Sequence, residues 1–152
     1  MKRILTILIL ALTPQIMTAQ SSMDEFFSSY SGRQGYQSII YGKRMLDMMK
    51  EDASPDVRSL LNRISTIRIT SHKQQMDEIA DISRRHLAAY EIISKINENG
   101  NLSEFYISDN IGKSKNVSFV MIISGPQGTA VMEIIGQFDV KDISKLSVIG
   151  QK

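Results

Sequence analysis

Two apolar segments near the end of the chain, residues 117–124 (VSFVMIIS) and 129–138 (TAVMEIIGQF), restrict the possible folds more than any other feature. Both are rich in β-branched residues, and the linking residues 124–128 contain a proline between two glycines, which predicts a hairpin with a longer loop. An antiparallel sheet with one face in water alternates apolar and polar residues, whereas both faces of this hairpin are largely apolar. We therefore expect the hairpin at the centre of the sheet. Either helices cover both of its faces, or one face, carrying Val120 and Ile122, binds a protein partner, a second copy or an apolar ligand.

The other segments predict helices and a strand or two first, followed by a meander of four strands. Ser54-Pro55 is typical of a helix start, and residues 66–71 alternate apolar and polar side chains as a strand does. The predicted helices are 23–30 with Ser22 as N-cap, 43–50, one starting at Ser54, 73–89 and 140–146, and the further strands are 38–41, 66–71, 90–96 and 102–108. This order predicts an α+β fold, a two-layer sandwich in which helices pack on one face of a mostly antiparallel sheet.

The first nineteen residues have the build of a secretory signal peptide. A basic start, Met1 to Arg3, precedes the apolar run 4–12, then Pro14 breaks the helix and Ala19 supplies a small residue. The apolar run is about half of the roughly 20 residues that a membrane-spanning helix needs. We expect cleavage between Ala19 and Gln20, giving a periplasmic or secreted protein without a stable membrane anchor. The alternative is a buried N-terminal helix, but such a helix would carry polar residues on one face.

Composition limits the classes of partner and of chemistry. Removal of residues 1–19 leaves 133 residues, enough for one core, and we place a single domain at 23–149. The chain has 18 basic and 16 acidic residues, and Lys2 and Arg3 leave with the signal peptide, so the mature protein has 16 of each. Nucleic acids and anionic lipids bind proteins through clustered basic residues. Because the mature chain has no excess of basic residues, we expect no nucleic-acid partner. The absence of cysteine excludes thiol nucleophiles, thiolate metal sites and a lipid-modified cysteine.

No catalytic, cofactor-binding or metal-binding residue stands out in the sequence. Met45, Met48 and Met49 have a spacing that could present thioethers to monovalent copper, but the same spacing is typical of a helix face packed into a core. His72 and His86 lack metal-ligand spacing and are expected at a surface or a helix end. Residues 32–35 (GRQG) resemble the glycine loop of one RNA-binding module but lack its flanking helices, and a plain loop is the better interpretation.

Three stretches resemble a known family. Residues 35–49 (GYQSIIYGKRMLDMM) are similar to the opening of exported Bacteroidota proteins catalogued as domain of unknown function forty-two fifty-two (DUF4252), which place a short strand directly before a Met-rich helix. Residues 64–69 (ISTIRI) resemble the family's helix-to-strand junction, and residues 134–139 (IIGQFD) its last strand and the following turn. The resemblance covers residues 23–149. Many relatives look like lipoproteins, from which this cysteine-free chain departs. The family has no established activity, so the resemblance implies no catalytic residue.

These observations predict an exported, non-catalytic protein of the cell envelope that binds a protein partner or a ligand. The partner would be a different protein or a second copy, held through an apolar face of the sheet. The alternative is a small periplasmic hydrolase or lyase whose Asp, Glu, Ser or Tyr side chains are assembled only by the fold.

Overall fold

The computed structural model describes residues 22–108 and 115–143. The predicted signal peptide, part of the predicted loop 109–116 and the end of the predicted helix 140–146 lie outside these residues. The elements in chain order are α1 (Asp24–Tyr30), β1 (Tyr36–Tyr41), α2 (Lys43–Met49), α3 (Pro55–Arg63), β2 (Ile64–His72), α4 (Asp77–His86), β3 (Glu91–Glu98), β4 (Asn101–Ser108), β5 (Val117–Gly125), β6 (Gly128–Gly136) and α5 (Val140–Ile143). Among the helices of this described part, none is long and apolar enough to cross a membrane.

The six strands form one sheet in the order β1-β2-β6-β5-β4-β3, and every neighbouring pair is antiparallel. The α+β prediction with an antiparallel sheet is therefore confirmed. The meander of four strands, β3 to β6, and the central position of the hairpin are also as expected. Gly125 pairs with Gly128, so the hairpin turn consists of Pro126 and Gln127 and is shorter than the predicted loop.

Helices contact both faces of the sheet, as in the first of the two alternatives for the hairpin, and not one face as in the predicted two-layer sandwich. Neighbouring residues of a strand point to opposite faces. Val120 lies in a core cluster with residues of α1 and α4, while the adjacent Phe119 lies in a second cluster with residues of α2 and α3. The physical reason is the apolar character of both hairpin faces, since each must lose contact with water.

The two faces are covered to different extents. The covered face, beneath α1 and α4, buries Ser118, Val120, Ile122 and Val131 almost completely. Val120 and Ile122 therefore contact helices of the same chain, and the hypothesis that they meet a partner is wrong. The opposite face, here called the open face, is closed by α2 and α3 only around residues such as Phe119 and Ile134. Its other central residues remain half-buried, namely Ile69, Met121, Ile123, Ala130 and Met132.

Two helix starts differ from the sequence expectation for local reasons. Ser22 does not cap α1; its hydroxyl donates instead to the carbonyl oxygen of His86 at 2.8 Å and ties the N-terminal segment to the end of α4. The long helix begins at Asp77 rather than at residue 73. The preceding residues form a loop, because the backbone N–H of Gln74 donates to Nδ1 of His72 and that of Met76 donates to the Thr129 hydroxyl.

Candidate functional site

A depression of about 880 Å³, here called the trough, lies at the end of the sheet where β1 starts and β2 ends. The β5–β6 turn, the first residue of β4, the end of β5 and the start of β6 complete it. Its lining residues are Gly35, Tyr36, Gln37, Ser71, His72, Lys73, Gln74, Asn101, Ile123, Gln127, Gly128, Thr129 and Ala130. This volume falls within the range of small-molecule and peptide pockets, so the trough is the candidate site.

The depth of the trough follows from the register of the sheet. Side chains on one face form rows across the strands, and the row at this end of the open face is Gln37, Ser71, Ala130 and Ile123. The next row inward is Ile39, Ile69, Met132 and Met121. Serine and alanine stand where the inner row has isoleucine and methionine. The small side chains of Ser71 and Ala130 leave a recess, and the larger side chains of the inner row form one wall of it.

Polar side chains surround an apolar floor. The amides of Gln37, Gln74, Gln127 and Asn101 and the ammonium group of Lys73 lie around the floor formed by residues such as Ile123. None of the lining residues in the described part of the chain is acidic. The site therefore offers hydrogen-bond donors and acceptors with the positive charge of Lys73, and its lining residues supply no carboxylate.

Close backbone packing shapes the rim at two glycines. A Cβ on Gly125 would collide with the side chain of Asn101, so glycine allows that amide to lie against the hairpin. Gly128 has φ of 137°, a value that side-chain-bearing residues rarely adopt, and its Cβ position lies 2.5 Å from the carbonyl oxygen of His72. Both glycines hold the β5–β6 turn close to the neighbouring strands.

The two histidines lie at separate places and have structural contacts. His72 ends β2, with its ring 5.0 Å from that of Tyr36. His86 ends α4, as expected for a helix-end residue, and its Nδ1 lies 3.1 Å from the carbonyl oxygen of Ser22. Within residues 22–108 and 115–143, no three His, Asp or Glu side chains are grouped so that they could hold a metal ion.

The methionines of α2 only partly follow the core interpretation. Leu46 is fully buried and Met49 packs against the second core cluster. Met45 and Met48, however, are 44% and 65% exposed. The core interpretation is wrong for these two residues, because α2 directs only Leu46 and Met49 toward the sheet. Residues 32–35 form the plain loop between α1 and β1.

An ion-pair network under α1, which the sequence analysis did not identify, crosses the covered face. Glu133 is fully buried in β6 and accepts hydrogen bonds from Arg68 of β2 and, at 2.6 Å, from the Ser118 hydroxyl of β5. Arg68 also pairs with Asp24 of α1. Burial disfavours the charged guanidinium of Arg68, but Glu133 and Asp24 outweigh that effect and raise its pKa. The sequence signal that could have indicated this network was a charged residue in each of two largely apolar strands, Arg68 in β2 and Glu133 in β6.

A second buried carboxylate, Glu104 of β4, lies under α4. It accepts hydrogen bonds from Arg84 at 2.8 Å and from the Tyr106 hydroxyl at 3.4 Å, and Lys95 lies 3.2 Å away. Burial disfavours its charged form, but hydrogen bonds from Arg84 and Lys95 outweigh that effect and hold the pKa of Glu104 below its usual value. Glu133 and Glu104 are thus engaged in ion pairs away from the trough.

Comparison with known proteins identifies the family of the chain. No curated protein matches the sequence. No solved structure matches it either. The model of the domain of unknown function DUF4252 matches residues 30–146, which include every strand of the sheet and the trough. The chain therefore belongs to the DUF4252 family, and the resemblance in its first strand, helix-to-strand junction and last strand is confirmed.

Proposed function

We propose that this protein is an exported, non-catalytic binding module of the bacterial cell envelope that holds a partner on its open face. The observation that carries the proposal is the unequal covering of the sheet. The covered face is sealed by α1 and α4, while the open face keeps half-buried apolar residues next to a trough with a polar rim. An apolar surface rimmed by polar groups is typical of an interaction site.

The location in the envelope rests on the signal-peptide pattern of residues 1–19. Cleavage between Ala19 and Gln20 would release the domain only a few residues before α1 begins. The mature protein would then act in the periplasm or outside the cell.

The placement of the carboxylates favours binding over catalysis. A hydrolase or lyase needs a general acid or base within reach of its substrate. The two fully buried glutamates, Glu104 and Glu133, are held by arginine on the covered face. The trough offers amides, hydroxyls, one lysine and the ring of His72, whose Nδ1 accepts the backbone N–H of Gln74 and whose ring lies 5.0 Å from that of Tyr36. This arrangement can orient a ligand by hydrogen bonding.

Position-specific photo-crosslinking in the native host tests the proposal. Benzoylphenylalanine replaces Met132, at the centre of the open face, or Arg85, an exposed residue of α4 on the other side of the molecule. We expect a discrete crosslinked product from the Met132 position and none from the Arg85 position. A further change, Ile69→Lys, places a charge beside the first probe and should remove the product.

Equal crosslinking from both positions, or none from the Met132 position, would contradict the proposal. Cell fractionation of the same strains tests the envelope location. Recovery of the unprocessed chain in the cytoplasm would remove that part of the proposal.

A further inference from the structure

We propose that the trough binds an extended peptide segment of about four residues that carries an acidic group facing Lys73. This inference rests on the proposed binding function and assigns the chemical class of the occupant. It is supported by the dimensions of the trough, by its polar groups and by the placement of its one phenol ring.

The dimensions fit a short extended chain. The row Gln37, Ser71, Ala130 and Ile123 crosses four neighbouring strands. Strands lie about 4.8 Å apart, so the row spans about 14 Å. An extended peptide advances about 3.3 Å per residue, and about four residues therefore cover this distance.

Amide side chains lie at both ends of the floor. Gln37 and Gln74 belong to β1 and to the loop after β2, whereas Gln127 and Asn101 belong to the β5–β6 turn and to β4. An amide both donates and accepts hydrogen bonds, as peptide groups do. A fatty acyl ligand would need polar contact at one end only. The amide groups at both ends of the floor therefore suit a peptide better than an acyl chain. The peptide lies across the strands, and its backbone is held by side chains, in contrast to a strand added at a sheet edge.

The polar side chains of the rim are available to a ligand. Across residues 22–108 and 115–143, the side chains of Gln37, Lys73 and Gln127 make no hydrogen bond or ion pair with another residue. Lys73 is the lysine of the lining, and the lining contains no carboxylate to neutralise it. A terminal carboxylate or an acidic side chain of the peptide is the complementary charge.

The position of the Tyr36 ring argues against a saccharide as the ligand of the trough. Sugar rings stack on the flat face of an aromatic side chain, and Tyr36 is the tyrosine among the lining residues. Its ring lies 5.0 Å from the rings of Tyr30 and of His72 and packs against the core cluster of the covered face. The floor is formed by Ser71, Ala130 and Ile123, which suit the side chains and backbone of a peptide.

A binding experiment on the mature chain tests this assignment. The probe is a pool of random pentapeptides with unmodified C-terminal carboxylates, from which bound members are selected, labelled with fluorescein and titrated by fluorescence anisotropy. We expect saturable binding. Amidation of the peptide carboxylate and the change Lys73→Gln should each weaken binding about tenfold, and together no more than either alone. The matched control Lys115→Gln removes an exposed lysine outside the trough and should leave the affinity unchanged.

Filling the trough gives a second line of test. Ala130→Leu should weaken binding at least tenfold, whereas Ser59→Leu on the exposed side of α3 should not, and cooperative thermal unfolding verifies that each variant is folded. Should Ala130→Leu fail to fold, Gln37→Ala and Gln127→Ala remove exposed rim amides and should each weaken binding severalfold.

Three outcomes overturn the assignment: no saturable peptide binding up to millimolar concentration, binding that Ala130→Leu and Lys73→Gln leave unchanged, or binding of chitotetraose in place of the peptides. The proposed function is judged separately. If crosslinking from the Met132 position succeeds while pentapeptides do not bind, the peptide assignment is wrong and the binding function stands.

Discussion

Removal of the Glu133 carboxylate should destabilise the protein strongly, although the residue does not line the trough. Glu133→Ala leaves the guanidinium of Arg68, whose side chain is 12% exposed, with Asp24 as its remaining acidic partner. Breaking a buried ion pair by deleting one partner costs about 3–5 kcal/mol, because the other charge stays buried. Asp24 still compensates part of that charge, so we expect about 3 kcal/mol. For a domain of this size the loss corresponds to a fall in Tm of about 12 °C.

Urea unfolding of three variants measures this effect. The second variant, Arg68→Met, leaves Glu133 without its cation and should cost a similar amount. The third, Arg68→Met with Glu133→Leu, removes both charges and should lie within about 1 kcal/mol of the original protein, because apolar side chains of similar volume replace buried ion pairs at little cost. A double variant as unstable as the sum of the two single variants would refute the reasoning, as would a cost below about 1 kcal/mol for Glu133→Ala.

Four further expectations concern the core, the covered face, pH and processing. Phe119→Ala should lower stability by about 2–5 kcal/mol in thermal melts because the side chain is buried, and Gln127→Ala in the turn should change it by less than about 0.5. Val120→Ser should reduce stability without changing the oligomeric state seen by light scattering, since helices cover this residue. Glu104 has a lowered pKa, so its contribution should be present above the ordinary pKa of glutamate and be lost as pH falls through the folded pKa; a Glu104→Gln variant should show a shallower acid transition by circular dichroism. Mass spectrometry of the exported protein should find Gln20 as the first residue, and an intact chain in the membrane fraction would contradict this.

The sequence predicted the sheet better than the site. The hairpin and the meander depend on local patterns, namely β-branched runs separated by glycine, proline and asparagine. The trough depends on register: Ser71 and Ala130 become neighbours only because β6 pairs with β2, although 58 residues separate them in sequence. The same pairing brings Arg68 to Glu133. No local pattern contains this information, so the open face and the buried network could not be located before the strand order was known.

Helix ends were missed where a side chain competes with helical hydrogen bonding. His72 accepts the backbone N–H of Gln74, and Thr129 accepts that of Met76, so residues with helical spacing from 73 onward first form a loop. Both acceptors come from strands, and one of them lies more than fifty residues away.

The position of β6 in the sheet has a consequence for the folding of the chain during its synthesis. β6 is the last strand in the sequence of the described residues, yet it lies between β2 and β5 and joins the two halves of the sheet. A chain that ends before Gly128 would hold β1 paired with β2 and, separately, β3, β4 and β5, with no hydrogen bonds between the two groups. A nascent chain therefore cannot complete its fold until β6 has left the ribosome. If the protein is exported as proposed, its incompletely folded chain can pass through a narrow translocation channel during nearly the whole of its synthesis.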